Sequence, residues 1–253
     1  MNVYLDTNIF AYIENGSLSL SDLKLILPEK TEKIFYSSSH IHECLEIRGI
    51  DEKQKNERIN KRLTTISQIT QDNYLFENLN NEMFKLIESP HTVIETITEV
   101  PFAQNMIKSM SNSISEEQKE AIREELELDP KRLNNYKPSE IVDFLTRKTN
   151  QFGNNYSFLN FIEKSLSFHP NASSFGLGNR ITAIFELLDM LGYWKDHYTT
   201  KSNYARLWDG SHTFFAAHCD VFITDDKKTR HKAKVVYDLY NIGTKVISSK
   251  GKE

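Results

Sequence analysis

The chain has 253 residues, 39% of them hydrophobic and 11% aromatic, enough for a sizeable core, with 26% charged residues and a formal net charge of -4. That balance excludes a basic protein that coats nucleic acid and an acidic disordered tail, so a polyanionic substrate has to be held by a local patch or through bound cations. The two cysteines, Cys44 and Cys219, offer neither zinc spacing nor a disulfide framework and read as small buried hydrophobes in predicted helices.

Val3–Leu5 reads as a short strand that stops on Asp6, followed by a helix from about Asn8 to Glu14 and another near Ser21–Leu27. The run IFYSS at 34–38 is a second strand, and Ser37 to Ser39 supply N-caps for a helix through HIHECLEIR. The stretch DEKQKNERINKR (51–62) has almost no apolar face and reads as a solvated helix extension or a loop. Helices are expected at about 75–88, 115–127 and 139–148, with Ser115 and Gln118 spaced as a capping box and Pro130 and Pro138 as breaks. Two further amphipathic helices, 157–167 and 179–193, complete a middle that reads as helix without strand. WDGSHTFFAAHC (208–219) is again helical, Val221–Ile223 is a strand ending in Thr-Asp-Asp, KKTRHKAKVVYDLY forms a basic helix, and TKVIS (244–248) is a last strand.

Helical crossovers between short apolar strands argue for a parallel sheet covered on both faces. The expected organisation is an α/β core from 1–48 and 200–253 closing around an all-helical insertion, 49–199. Residues 1–15 carry no basic leader pattern, and no apolar run reaches the roughly eighteen residues of a membrane helix, so a cytoplasmic protein without a membrane partner is expected.

Open parallel sheets bind ligands beyond the carboxyl ends of their strands. Asp6 follows one predicted strand, and Asp225 and Asp226 follow another. Glu43 lies about one turn into the helix after the second strand, and Asp209 lies at the start of the helix before the strand that ends at Thr224. Several carboxylates at one edge repel one another and raise one another's pKa unless cations balance them. Oxygen ligands without cysteine or histidine spacing favour Mg2+ or Mn2+ over zinc, and a pair of such ions suits in-line phosphoryl displacement. For Asp6 the competing reading is a helix N-cap. Glu43 competes with Glu46, about one turn later.

MNVYLDTNIF, the acid in SSSHIHECLEI, and WDGSHTFFAAHCDVFITDDKKTRHKA resemble a PIN-domain ribonuclease. In that family an acid follows the first strand in Asp-Thr-Asn or Asp-Thr-Ser, a second sits on the helix after the second strand, a third opens an alanine-rich helix, and a strand ends in Thr-x-Asp. Asp6, Glu43, Asp209 and Asp226 match the four acids in order, and Thr224 matches the threonine. The resemblance implies a three-layer α/β/α sandwich with a central parallel sheet and a divalent-metal-dependent endoribonuclease. Those four acids would be catalytic and would hold the metal with Asp225, while Asn8, Thr224 and His212 would support them. A toxin or defence effector is compatible with this reading, as are an inhibitory or regulatory protein partner and a homo-oligomer. The resemblance covers the two ends of the chain and leaves the middle without counterpart.

His212, three residues after Asp209, is placed to contact a phosphate or move a proton, or else is a packed helix histidine; His40 and His42 divide the same way. Lys227, Lys228 and Arg230 directly follow the last acids, where the backbone of a single-stranded RNA would approach. Tyr193, Trp194, Tyr198, Tyr204 and Trp208 are stacking candidates for unpaired bases, or core. Within the same chemical class the rival is a structure-selective DNA nuclease; outside it, a catalytically silent binding module.

Overall fold

Strand β1 (Asn2–Leu5) is the hub of the sheet: Val3, Tyr4 and Leu5 are fully buried, as a parallel strand covered on both faces requires. The computed structural model describes residues 1–97, 115–150, 157–167, 175–197 and 200–251. Their contacts divide the chain into two compact units, Met1–Glu99 with Phe215–Lys227 and Gly243–Glu253, and Val100–Phe214 with Lys228–Ile242. Among the described residues the fold is mixed α/β, with one six-stranded sheet and twelve helices. None of those helices is long and apolar enough to cross a membrane.

The first unit holds the sheet. Helices α1 (Thr7–Glu14) and α2 (Leu20–Ile26) follow β1, then β2 (Lys33–Ser37), α3 (Ser38–Leu45), α4 (Glu52–Thr70), β3 (Asn73–Glu77), β4 (Met83–Ile87) and α5 (Pro90–Thr96). Strands β5 (Val221–Ile223) and β6 (Lys245–Ile247) return from the far end of the chain. The strand order is β4-β3-β2-β1-β5-β6, parallel throughout except for the β3–β4 hairpin. From β1 the chain builds outward through β2 and β3, then comes back to β5 on the opposite side. The order therefore reverses between β1 and β5, where Leu5 stands opposite Ile223.

The hairpin corrects two expectations: 75–88 is not a helix, and the middle of the chain is not free of strand. Asn78 explains the turn, since its side-chain oxygen accepts from the Asn80 N–H (2.8 Å) and the Glu82 N–H (3.0 Å), and Asn81 adopts a left-handed φ of 61°. Residues 51–62 are not a loop either, because helix α4 runs to Thr70 and buries Ile59, Leu63 and Ile66 on one face. The charged stretch ends just before that apolar stripe is complete, which is why it reads as faceless. Arg62 closes on the Glu14 carboxylate and Lys61 donates to the Glu14 carbonyl (2.8 Å), so α4 ties down the carbonyl end of α1. The α/β unit consequently reaches well past residue 48. The cysteines are both buried, but only Cys44 lies in a helix; Cys219 follows one.

The second unit is helical in its described residues: α6 (Glu116–Glu125), α7 (Pro130–Leu133), α8 (Pro138–Thr149), α9 (Phe158–Ser167), α10 (Leu177–Leu191), most of α11 (Thr200–Ala216) and most of α12 (Lys227–Leu239). The clustering of α11 and α12 with the helices overturns the expected core boundary at residue 200. A network of ion pairs runs through this unit. Asp189 meets Arg206 (3.1 Å), Lys119 (3.4 Å) and Lys232 (3.4 Å), while Asp196 meets Lys228 (3.0 Å) and Lys232 (3.4 Å). Arg206 also takes both oxygens of Glu186, at 2.8 and 2.9 Å.

Candidate active site

In the first unit the carboxyl ends of β1 and β5 flank the point where the strand order reverses, the place where open α/β sheets bind ligands. Asp6 continues β1 there, its N–H donating to the Ile223 carbonyl (2.9 Å), and Thr224 continues β5. Asp6 is 6% exposed and takes the N-cap position of α1, yet its carboxylate makes no capping bond. Instead Oδ2 accepts from Asn8 Nδ2 (2.7 Å) and from the Thr224 hydroxyl. The cap reading of Asp6 is thereby replaced: two neutral donors hold the side chain across the switch point. Asn8 also reaches the Thr224 hydroxyl oxygen (3.3 Å), which in turn accepts from the Asp226 N–H (3.1 Å). Asn8 and Thr224, expected as supporting residues, both hydrogen-bond to Asp6.

Glu43 sits on α3, half-buried, and accepts a hydrogen bond from the Thr7 hydroxyl, one residue after Asp6. Glu46 is the exposed C-cap of the same helix. Thr7 is the residue that sequence reasoning passed over, although it is the middle of the quoted Asp-Thr-Asn. The groups packed beside them are buried and hydrogen-bonded. His40 Nδ1 accepts from the Ser37 N–H (3.1 Å), which leaves its proton on Nε2 to donate to the Leu5 carbonyl (2.8 Å). Tyr4 shares a 2.6 Å hydrogen bond with Ser37 Oγ, and burial, with the charges of Asp6 and Glu43 adding to it, pushes the phenol's pKa well up so that it stays neutral. His40 is therefore a fully buried structural residue, and burial lowers the pKa of His42.

Asp225 does something else. Its oxygens accept from Ser248 Oγ (2.7 Å), the Ser249 N–H (2.8 Å) and Ser249 Oγ (2.6 Å), with Lys250 Nζ at 3.5 Å. Burial raises its pKa, but these bonds and the lysine outweigh burial and hold the carboxyl below its ordinary range. The side chain anchors the segment after β6, which argues against counting Asp225 among metal ligands. Asp226 is exposed.

Asp209, His212, Lys228 and Arg230 belong to the second unit. Asp209 occupies the middle of α11 rather than its start, because the helix begins at Thr200. Thr213 donates to its carbonyl (2.8 Å), and His212 is 1% exposed, the packed alternative. Lys228 is paired with Asp196, and Lys232 of the same basic run is buried in the ion network rather than solvated. Lys227 is exposed and Arg230 half-buried. Tyr193 is fully buried and Trp194 stacks on His231 with ring centroids 4.0 Å apart, so both pack within the fold. Tyr198 and the side chain of Tyr204 lie outside the described residues.

Among the described residues no group of three or more His, Cys, Asp and Glu side chains is gathered closely enough to hold a metal ion. Asp6 and Glu43 carry oxygen donors of the type that suits a hard cation, and each accepts a hydrogen bond from a hydroxyl, Asp6 from Thr224 and Glu43 from Thr7. Neither the family models, the curated proteins nor the solved structures compared with this chain match it.

Proposed function

We propose that the chain is a PIN-like, divalent-metal-dependent endoribonuclease of the cytoplasm, built as a three-layer α/β/α sandwich with added helices. The observation that carries the reading is Asp6: a carboxylate at the switch point of a parallel sheet, turned away from helix capping and held by Asn8 and Thr224.

Mg2+ or Mn2+ is bound through one or two carboxylates plus waters and substrate phosphates, which the acids here can supply. Asp6 and Asp226, with Glu43 directly or through water, are the ligands we assign in the first unit; Asp209 is assigned from the sequence resemblance alone. When bound, the ion neutralises charge on the phosphate and lowers the pKa of a water. Asn8 and Thr224 fix which oxygens of Asp6 face the ligand, and Thr7 does the same for Glu43. Lys227 and Arg230 serve the RNA backbone; Lys228 does so by exchanging Asp196 for a phosphate. With water as the nucleophile no 2′,3′-cyclic phosphate forms, and departure of the 3′ oxygen leaves 3′-hydroxyl and 5′-phosphate ends.

The test is cleavage of labelled single-stranded RNA across a Mg2+ and Mn2+ titration, with Asp6→Asn and Asp209→Asn beside the parent and branched DNA as second substrate. Each variant is expected to lose at least about 100-fold in rate. Undiminished cleavage in both variants defeats the site. Cutting of branched DNA alone turns the reading to a DNA nuclease, and silence in every metal turns it to a binding module.

A further inference from the structure

Among the described residues eight large hydrophobic side chains are exposed, and five of them, Phe76, Leu79, Phe84, Leu86 and Ile87, lie on the β3–β4 hairpin. Such a concentration marks an interaction surface more often than scattered surface leucines do. Among the described residues strand β4 is also the last strand of the sheet on that side. The Glu88 N–H donates to the Asp72 carbonyl (2.8 Å) and the Asn78 N–H to the Glu82 carbonyl (3.0 Å), which sets the antiparallel alternation. Residues 82, 84, 86 and 88 thus turn their backbone groups to β3, and Met83, Lys85 and Ile87 turn theirs outward.

The side chains alternate as well. Phe84 and Leu86 share one face with an aromatic series, Tyr36 to Tyr74 (4.9 Å), Tyr74 to Phe76 (6.3 Å) and Phe76 to Phe84 (6.4 Å). Lys85 lies on the other face, its ammonium 5.4 Å above the Phe35 ring, and is exposed. Along the strand the charges run acid, base, acid: Glu82, Lys85, Glu88. A second copy pairing over the whole strand sets Lys85 against Lys85 and Glu82 against Glu88, and opposed like charges disfavour it. Sliding the copies by two residues removes the clash but also the outer pairs of the ladder.

We infer that β4 is a docking edge for an extended, antiparallel strand of a different protein, with an acid opposite Lys85, bases opposite Glu82 and Glu88, and apolar residues between them. Backbone bonds to Met83, Lys85 and Ile87 supply affinity, and the three charge pairs set orientation and partner choice.

The test titrates isotope-labelled full chain with two end-capped peptides, Lys-Val-Ile-Glu-Val-Ile-Lys and its charge-reversed form Glu-Val-Ile-Lys-Val-Ile-Glu, following backbone amide shifts. The first is expected to move the amides of Met83, Lys85 and Ile87 and to bind about tenfold more tightly than the second. Lys85→Glu, a change at an exposed side chain, is expected to shrink that ratio. Equal binding of the two peptides, shifts elsewhere or none, or a ratio untouched by Lys85→Glu each overturn the inference. Dimerisation of the chain alone, abolished by Ile87→Asp, gives the edge to a second copy and overturns it too.

Discussion

Two clusters of buried polar groups, one in each unit, are held in opposite ways. In the first, Asp6 is held by an amide and a hydroxyl, and Tyr4, Ser37 and His40 are joined by neutral hydrogen bonds. In the second, Asp189 and Asp196 are held by arginine and lysine. A neutral donor orients a carboxylate without cancelling its charge, whereas a cation cancels it. The first arrangement suits an acid that has to act on something charged. The second suits acids whose work is to hold helices together.

The comparison is most easily broken at Asp189, where removing the carboxylate leaves Lys119, Arg206 and Lys232 without that partner. Asp189→Ala is expected to cost about 3–5 kcal/mol in denaturant unfolding; a loss below about 1 kcal/mol means the network holds nothing. His40→Leu comes next, at about 2–3 kcal/mol, because the Ser37 N–H and the Leu5 carbonyl lose their buried partners. Its cost should not change with salt, since neither partner is charged.

Acid pH separates the units again. Burial raises the pKa of Asp189, but the charges of Lys232, Arg206 and Lys119 and the Asp196 N–H outweigh it and hold the folded value below the ordinary 3.8. The unfolded chain therefore binds the proton first, so this contribution is complete above the ordinary value and is lost as pH falls through the folded one. Asp189→Asn should flatten the low-pH limb of a thermal-melt profile. Asp225→Asn should flatten it less, as its carboxyl is held mainly by serine bonds. The smallest effect is expected at the proposed site: Asp6→Asn should change stability by no more than about 1 kcal/mol while removing activity. Within α3, Glu43→Gln should lower cleavage and Glu46→Gln should leave it unchanged; the reverse outcome moves the second acid to Glu46.

Much of the first unit was legible because its signals are local. Val3–Leu5 and Val221–Ile223 are short apolar runs stopped by polar residues, and Ser37 caps α3 as its position suggests. The β3–β4 hairpin was not legible, since NYLFE and MFKLI satisfy a helical window as readily as a strand and only the Asn78 turn decides. At the candidate site, Asp6 and Thr224 could be placed from the ends of their strands, whereas Asp209 could not be placed from its position, and Thr7 gives no sign at all; its contact exists only once α3 brings Glu43 to it. Asp225 and Asp226 are adjacent and alike in sequence, and what divides them is a pair of serines more than twenty residues later. Lys228 was expected at an RNA backbone, and its place with Lys232 in an ion network was not legible because their acids, Asp196 and Asp189, sit in a different stretch of chain.

Asp6 and Thr224 stand 218 residues apart in sequence, yet they clasp each other directly. During synthesis β1 can pair with β2 within a few dozen residues of emerging, while its other edge has to wait for β5. Closing so long a loop is slow, and an open strand edge in the interval invites wrong pairing. The Asp6 clasp cannot form on a ribosome-bound fragment that stops before residue 224, so a truncated chain carries the acid without the geometry.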